Sequence, residues 1–121
     1  MKALLLLWEV FDYSLQGLRN TIYDEIAFRI KSAVAVILIS AALLLPVSLI
    51  VRILLIVSLL LVLIIELLNT AVEAPVNRIS TEQHTLSAKA KDAGSATVLM
   101  ASINLVVVCG IVLFNLIFNI S

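Results

Sequence analysis

Charge is what this sequence has least of. Of its 121 residues 13% are charged and 63% are hydrophobic, and the mean hydropathy is +1.21. No soluble core of this size takes up so much apolar surface, so the chain reads as a small integral membrane protein. Eight basic and eight acidic residues cancel, which leaves no basic surface to attract nucleic acid. Cysteine occurs once, as Cys109 in an apolar run. That excludes an intrachain disulfide and leaves a packing role. The glycines Gly17, Gly94 and Gly110 are scattered, so there is no glycine-rich phosphate-binding loop. One histidine, His84, is too little to argue for a metal. Lys2 and the apolar residues up to Trp8 imitate a signal peptide, but the run ends at Glu9 and is too short.

What is present is helical periodicity. Trp8, Phe11, Leu15, Leu18 and Ile22 recur every three or four residues, with Glu9, Asp12, Gln16 and Arg19 largely on the other side. That pattern predicts an amphipathic surface helix over about 1–26, anchored at the interface by Trp8. A charged hinge follows, Asp24, Glu25, Arg29 and Lys31. It has the look of an interfacial ion cluster, and Glu25 reads equally well as a solvated surface acid. Three apolar runs then predict spans over 27–46, 49–79 and 86–118. Pro46 ends the first, Pro75 is expected to kink the second, and 80–85 reads as a solvated connection. Gly94, Ser95, Ala96 and Ala101 are small enough to let the third span approach a neighbour closely. The expected fold is therefore an all-α membrane protein with an N-terminal surface helix and three transmembrane helices.

One stretch of the second span carries polar chemistry. At about 100° per residue Glu66, Asn69, Glu73 and Asn77 share one stripe. Arg52 marks one interface, and Glu66 lies 14 residues beyond it. That is about 21 Å along a helix and still inside a hydrocarbon core of about 30 Å. Glu73 reaches the headgroup level. A carboxylate at membrane depth is a functional hypothesis by default. The basic residues Lys2, Arg19, Arg29, Lys31, Arg78, Lys89 and Lys91 place the N-terminus and the second loop on the cytoplasmic side. Three helices do not by themselves shield such a stripe from lipid, which predicts a homo-oligomer with sites near subunit contacts. Carboxylates at the rim hold Mg²⁺ through one or two oxygens and leave the rest of its shell to phosphate and water. A nearby lysine balances phosphate charge, and Glu66 could take a proton from the hydroxyl of an embedded substrate. The layout suits phosphoryl transfer from a nucleotide to a lipid alcohol.

The same stretch, Glu66-Leu-Leu-Asn69-Thr-Ala-Val-Glu73-Ala-Pro-Val-Asn77, resembles the signature of bacterial integral-membrane diacylglycerol kinases, E-x-[LIVM]-N-[ST]-[SA]-[LIV]-E-x-x-V-D. The blocks Tyr13 to Arg19, Asp24 to Arg29 and Glu82 to Ala96 match the family in order. The resemblance implies a homotrimer in the bacterial inner membrane that phosphorylates diacylglycerol with MgATP. It also implies Glu66 as catalytic base and Glu25 and Glu73 as ligands of Mg²⁺ that meet ATP. Tyr13, Glu82, Gln83, His84, Lys91 and Asp92 resemble further ATP contacts. Ser14, Arg19, Arg52, Asn69 and Ser95 resemble residues on the lipid-substrate side. Three departures stand out: Asn77 replaces the signature's final acid, Lys31 stands where the best-known members carry an acid, and Pro75 lies inside the motif. Three other functions compete, one of them a non-catalytic membrane scaffold, which would tolerate Glu73→Ala. Undecaprenol kinases share the Glu-Leu-Leu-Asn-Thr-Ala block, although Gly94-Ser95-Ala96 and Glu82-Gln83-His84 look more like the diacylglycerol enzymes. A small proton- or ion-conducting protein would use Glu66 and Glu73 as a relay but would have no use for Lys91 and Asp92.

Overall fold

The computed structural model describes residues 1–79 and 85–118. These form four helices, α1 (Lys2–Asp24), α2 (Ile26–Leu44), α3 (Leu49–Ile79) and α4 (Thr85–Phe118), with no strand among the described residues. The last three are long and apolar enough to cross a membrane. Packing is centred on α3, which holds α4 along much of its length and α2 less extensively, while α1 packs chiefly on α2.

A single residue separates α1 from α2. Glu25 is extended (φ −111°, ψ 105°), ends α1 by donating its N–H to the Thr21 carbonyl at 2.9 Å, and starts α2 by accepting from the Arg29 N–H at 3.0 Å. The Arg29 side chain closes the joint. Its Nε donates to the Ile22 carbonyl at 3.0 Å and Nη2 to the Tyr23 carbonyl at 2.8 Å. These are carbonyls that a helix C-terminus leaves without partners, and a cation there also meets the negative end of the helix dipole. Of the two readings of this hinge, the ion cluster is not formed among the described residues: Arg29 serves backbone carbonyls and Lys31 points away to α3. Carbonyls with no other donor hold Arg29 more firmly than exposed acids, which water satisfies.

The α2–α3 turn uses the same economy. Pro46 disfavours a helical conformation at Leu45, which adopts φ −68° and ψ 143°. Arg52, one turn into α3, folds back over the turn and donates to the carbonyls of Ala42, Leu45 and Val47 at 3.1, 2.9 and 3.3 Å. Ser48 caps α3 by accepting the Val51 N–H on Oγ at 3.3 Å. Helix α3 continues through Pro75 to Ile79.

The spans meet along narrow stripes. Helix α2 buries Phe28, Ala35 and Ala42, and α4 buries Gly94, Ala101 and Val112. Against them α3 buries Ser58, Leu59 and Val62. The small residues recur every seven positions, which lets backbones approach where lipid tails compete equally for apolar contact. Hydroxyls within the spans bond back to their own helix, as in Ser40 to the Val36 carbonyl at 2.8 Å and Ser102 to the Val98 carbonyl at 2.9 Å. No polar donor is thereby left facing hydrocarbon at those positions. Outside these stripes the helices are bare: Leu44, Val106 and Ile117 are among many exposed apolar side chains.

Candidate functional site

The site is assembled on the C-terminal half of α3, where α2 and α4 flank it. Glu66, Asn69 and Glu73 are half-buried and Asn77 is exposed. The four residues of the stripe lie on one unbroken helix, and each carries a different kind of contact.

Glu66 makes the strongest of these. Its Oε2 accepts from Lys31 Nζ of α2 at 2.6 Å, in an ion pair whose carboxylate side chain is 12% exposed and whose ammonium side chain is 36% exposed. The second oxygen, Oε1, has no protein donor among the described residues. Thr70 bonds to the Glu66 carbonyl at 3.1 Å and tightens the same turn. An ammonium at this distance from a carboxylate with so little water gives a charge-assisted bond of the short, strong kind.

One turn further on, Asn69 Nδ2 donates to Glu73 Oε1 at 3.2 Å and orients that carboxylate while leaving its Oε2 free of described partners. Asn69 Oδ1 is buried with no hydrogen-bond partner. It lies against Gly94 of α4, so closely that a Cβ built on Gly94 would collide with it. The glycine in the third span is therefore a space requirement of Asn69, beyond general helix packing. Thr97 bonds to the Gly94 carbonyl at 2.6 Å. Near the end of the stripe Lys91 Nζ donates to Asn77 Oδ1 at 2.8 Å, which ties the α4 rim to α3.

The structure thus brings together Glu66, Asn69, Glu73 and Lys91, joined by Lys31 and Asn77. Among the described residues, the other expected site residues are not joined to this array. Glu25, at the α1–α2 joint, makes no side-chain hydrogen bond to a described residue, and Asp92 and Ser95 are exposed on α4. Tyr13 is exposed on α1, and Ser14 donates to its own helix at the Val10 carbonyl at 2.8 Å. Arg19 lines a groove of about 570 Å³ with Leu15, Leu18, Ile22, Tyr23 and Arg29. Arg52 stands at the opposite end of α3 and is engaged by backbone carbonyls. Glu82, Gln83 and His84 lie outside the described residues.

Lys31 is the residue that periodicity alone undervalues. Phe28 and Ala35 mark the buried face of α2, and Lys31 falls three residues after one and four before the other, on that same face. A lysine on the inward stripe of a membrane span calls for a partner anion.

Among the described residues no three His, Cys, Asp or Glu side chains converge as a metal cage. The donor set offered, carboxylates separated along the rim, is of the kind Mg²⁺ uses when phosphate and water complete its shell.

Comparison with known proteins shows the family. The family model for prokaryotic diacylglycerol kinase matches residues 12–113. A diacylglycerol kinase of Haemophilus influenzae is 49% identical over 102 residues, covering 84% of this chain and 86% of that protein. That of Escherichia coli K12 is 46% identical over 103 residues, covering 85% and 84%. A more distant diacylglycerol kinase, from Helicobacter pylori, is 34% identical over 113 residues, covering 93% and 88%. The matched region takes in the α1–α2 joint, the Glu66 stripe and the α4 rim, and the chain belongs to the prokaryotic diacylglycerol kinase family.

Proposed function

We propose that the protein is a lipid kinase that transfers the γ-phosphoryl group of ATP to the free hydroxyl of diacylglycerol, giving phosphatidate and ADP. Family membership supports the reaction class, and the half-buried carboxylate of Glu66 is the observation that carries the mechanism. In this reading the lipid hydroxyl oxygen attacks the γ-phosphorus as Glu66 takes its proton. The bond from the γ-phosphorus to the β–γ bridging oxygen breaks, and ADP leaves with the electron pair. Little covalent chemistry is asked of the protein in phosphoryl transfer, so positioning and charge stabilisation carry most of the catalysis.

The remaining residues divide by depth. Asn69 and Glu66, deepest on the stripe, face the lipid alcohol, with Ser14, Arg19 and Ser95 on the same side and Arg52 at the far end of the span. Tyr13, Glu82, Gln83, His84, Lys91 and Asp92 approach the nucleotide from the rim. Glu25 and Glu73 would hold Mg²⁺, which when bound shields the phosphate charge from the attacking oxygen. Asn69 fixes one oxygen of Glu73 and leaves the other available.

The bare apolar faces and the unjoined Glu25 fit a homotrimer in which a neighbouring protomer completes each site. The α1 stripe lies in the cytoplasmic leaflet of the inner membrane, with Trp8 and Phe11 in edge contact at 6.2 Å among its exposed apolar residues. The N-terminus and the α3–α4 connection are cytoplasmic. Transfer of labelled phosphate from MgATP to diacylglycerol and, separately, to undecaprenol tests the substrate. Product with diacylglycerol alone is expected. Product with undecaprenol alone would keep the chemistry and move the substrate. Failure with both, from well-folded protein, would remove the kinase reading.

A further inference from the structure

We infer that Lys31 is a positioning residue of the phosphoryl-transfer site: it supplies the counter-charge for Glu66 and holds one carboxylate oxygen, so that the other is left to receive the substrate proton. The inference rests on the reading of Glu66 as base and goes beyond it.

Three observations converge. Lys31–Glu66 is the one ion pair between described residues, and it is short, 2.6 Å between Nζ and Oε2. It joins two different helices across the buried face of α2, where Phe28 and Ala35 flank the lysine. Lys31 also lines a groove of about 220 Å³ whose other walls are apolar apart from Ser102, among them Val34, Leu38, Leu59, Val62 and Leu105. The lysine thus stands against largely apolar surroundings, with Glu66 as its anionic partner.

The chemistry follows from the geometry. A lone charged carboxylate in such a place is costly, and one cation removes most of that cost. Lysine is a compact point charge on a flexible stem, with three donors and no fixed fork. It engages Oε2 and leaves Oε1 free of described donors. When the lipid hydroxyl attacks the γ-phosphorus, its proton goes to Oε1, the new oxygen–phosphorus bond forms, and the bond to the bridging oxygen of ADP breaks. The lysine itself gains and loses nothing. It does not touch the reacting atoms, and its effect passes through Glu66.

The test uses the protein in mixed micelles with four variants, Lys31→Met, Lys31→Arg, Glu66→Gln and the double variant of Lys31→Met with Glu66→Gln. Kinetics are measured with MgATP and diacylglycerol, and infrared spectra are taken in heavy water. Misplacing a catalytic group by about 1 Å costs on the order of a hundredfold, so Lys31→Met is expected to lower kcat by about ten- to a hundredfold with KM for MgATP little changed. Lys31→Arg is expected to restore most of the loss. In the infrared, a carboxylic-acid carbonyl band is expected in Lys31→Met that is absent from the natural protein and from the double variant with Glu66→Gln. A merely structural lysine would not move that band.

A raised KM for MgATP with kcat unchanged would make Lys31 a nucleotide contact and overturn the proposal, as would unchanged kcat with no acid band. If Lys31→Met fails to fold, the difference spectrum between the natural protein and Glu66→Gln decides: an ionised carboxylate band for Glu66 supports the pairing, and an acid carbonyl band overturns it. Full turnover by Glu66→Gln would instead remove the base reading. Inactive Glu66→Gln beside a fully active Lys31→Met would remove only the role given to Lys31.

Discussion

Gly94→Ala is the smallest change that tests how the site is built. The added methyl would collide with Asn69 Oδ1 and sit 3.4 Å from Asn69 Cγ and 4.0 Å from a Val72 methyl. Asparagine is short, and Asn69 is held on a helix that α4 packs against along much of its length. Two relaxations are available. Asn69 can rotate away, which breaks its 3.2 Å bond to Glu73, or α4 can withdraw from α3 and open the contact around Ala101. Overpacking of this kind costs about 1–3 kcal/mol. Loss of a hydrogen bond to a charged group costs about 1.5–3 kcal/mol when the group is buried, and less here because Glu73 is only half-buried. Relief of the orphaned Oδ1 offsets part of the loss if Asn69 turns outward. The net expectation is about 1–3 kcal/mol of destabilisation, together with a raised KM for MgATP as Glu73 loses its orientation. Thermal unfolding in micelles and steady-state kinetics read the two effects. Gly110→Ala is the control, because nothing lies within 4 Å of its Cβ position. It should be neutral or stabilising by about 0.5–1 kcal/mol, the usual difference between alanine and glycine within a helix. A Gly94→Ala protein that matches Gly110→Ala in melting temperature and in KM would refute the reasoning.

Two further changes separate structure from chemistry. Arg52→Ala removes three bonds to the carbonyls of Ala42, Leu45 and Val47; it should cost about 1.5–3 kcal/mol of stability and free the α2–α3 turn to hydrogen exchange. Among molecules that remain folded, a loss of lipid affinity larger than the loss of stability would support the place proposed for Arg52 on the lipid side, and unchanged lipid affinity would remove it. Asn77→Asp converts the 2.8 Å bond from Lys91 into an exposed ion pair, worth no more than about 1 kcal/mol to stability. Because it competes for Lys91, it should raise KM for MgATP a few-fold at low salt and less at high salt. An unchanged or lowered KM would show that Lys91 does not serve the nucleotide.

The sequence carried the architecture because its signals were long and uniform. Four helices with three long apolar ones followed from runs that nothing but lipid could accommodate, and the Glu66 stripe followed from the helical repeat. What could not be read were contacts between helices. Nothing in the spacing on α3 says that Lys31 of α2 meets Glu66, and the charged neighbours Asp24, Glu25 and Arg29 made Lys31 resemble part of a solvated hinge. Only the inward position of Phe28 and Ala35 distinguishes it, and that face is defined by packing. Gly94 is similar. Its small size suggested close helix approach in general, whereas the structure gives it one particular neighbour, Asn69 Oδ1. Arg29 and Arg52 carry further contacts that spacing does not reveal, since each guanidinium donates to backbone carbonyls at the ends of helices.

The role of Glu66 is tested most directly by kcat for Glu66→Gln, which keeps the size and shape of the side chain and removes the proton acceptor. With a melting temperature near that of the natural protein and MgATP affinity retained, kcat is expected to fall by about a hundred- to ten-thousandfold, the usual contribution of a general base. A folded Glu66→Gln protein that phosphorylates diacylglycerol at the natural rate would contradict the account.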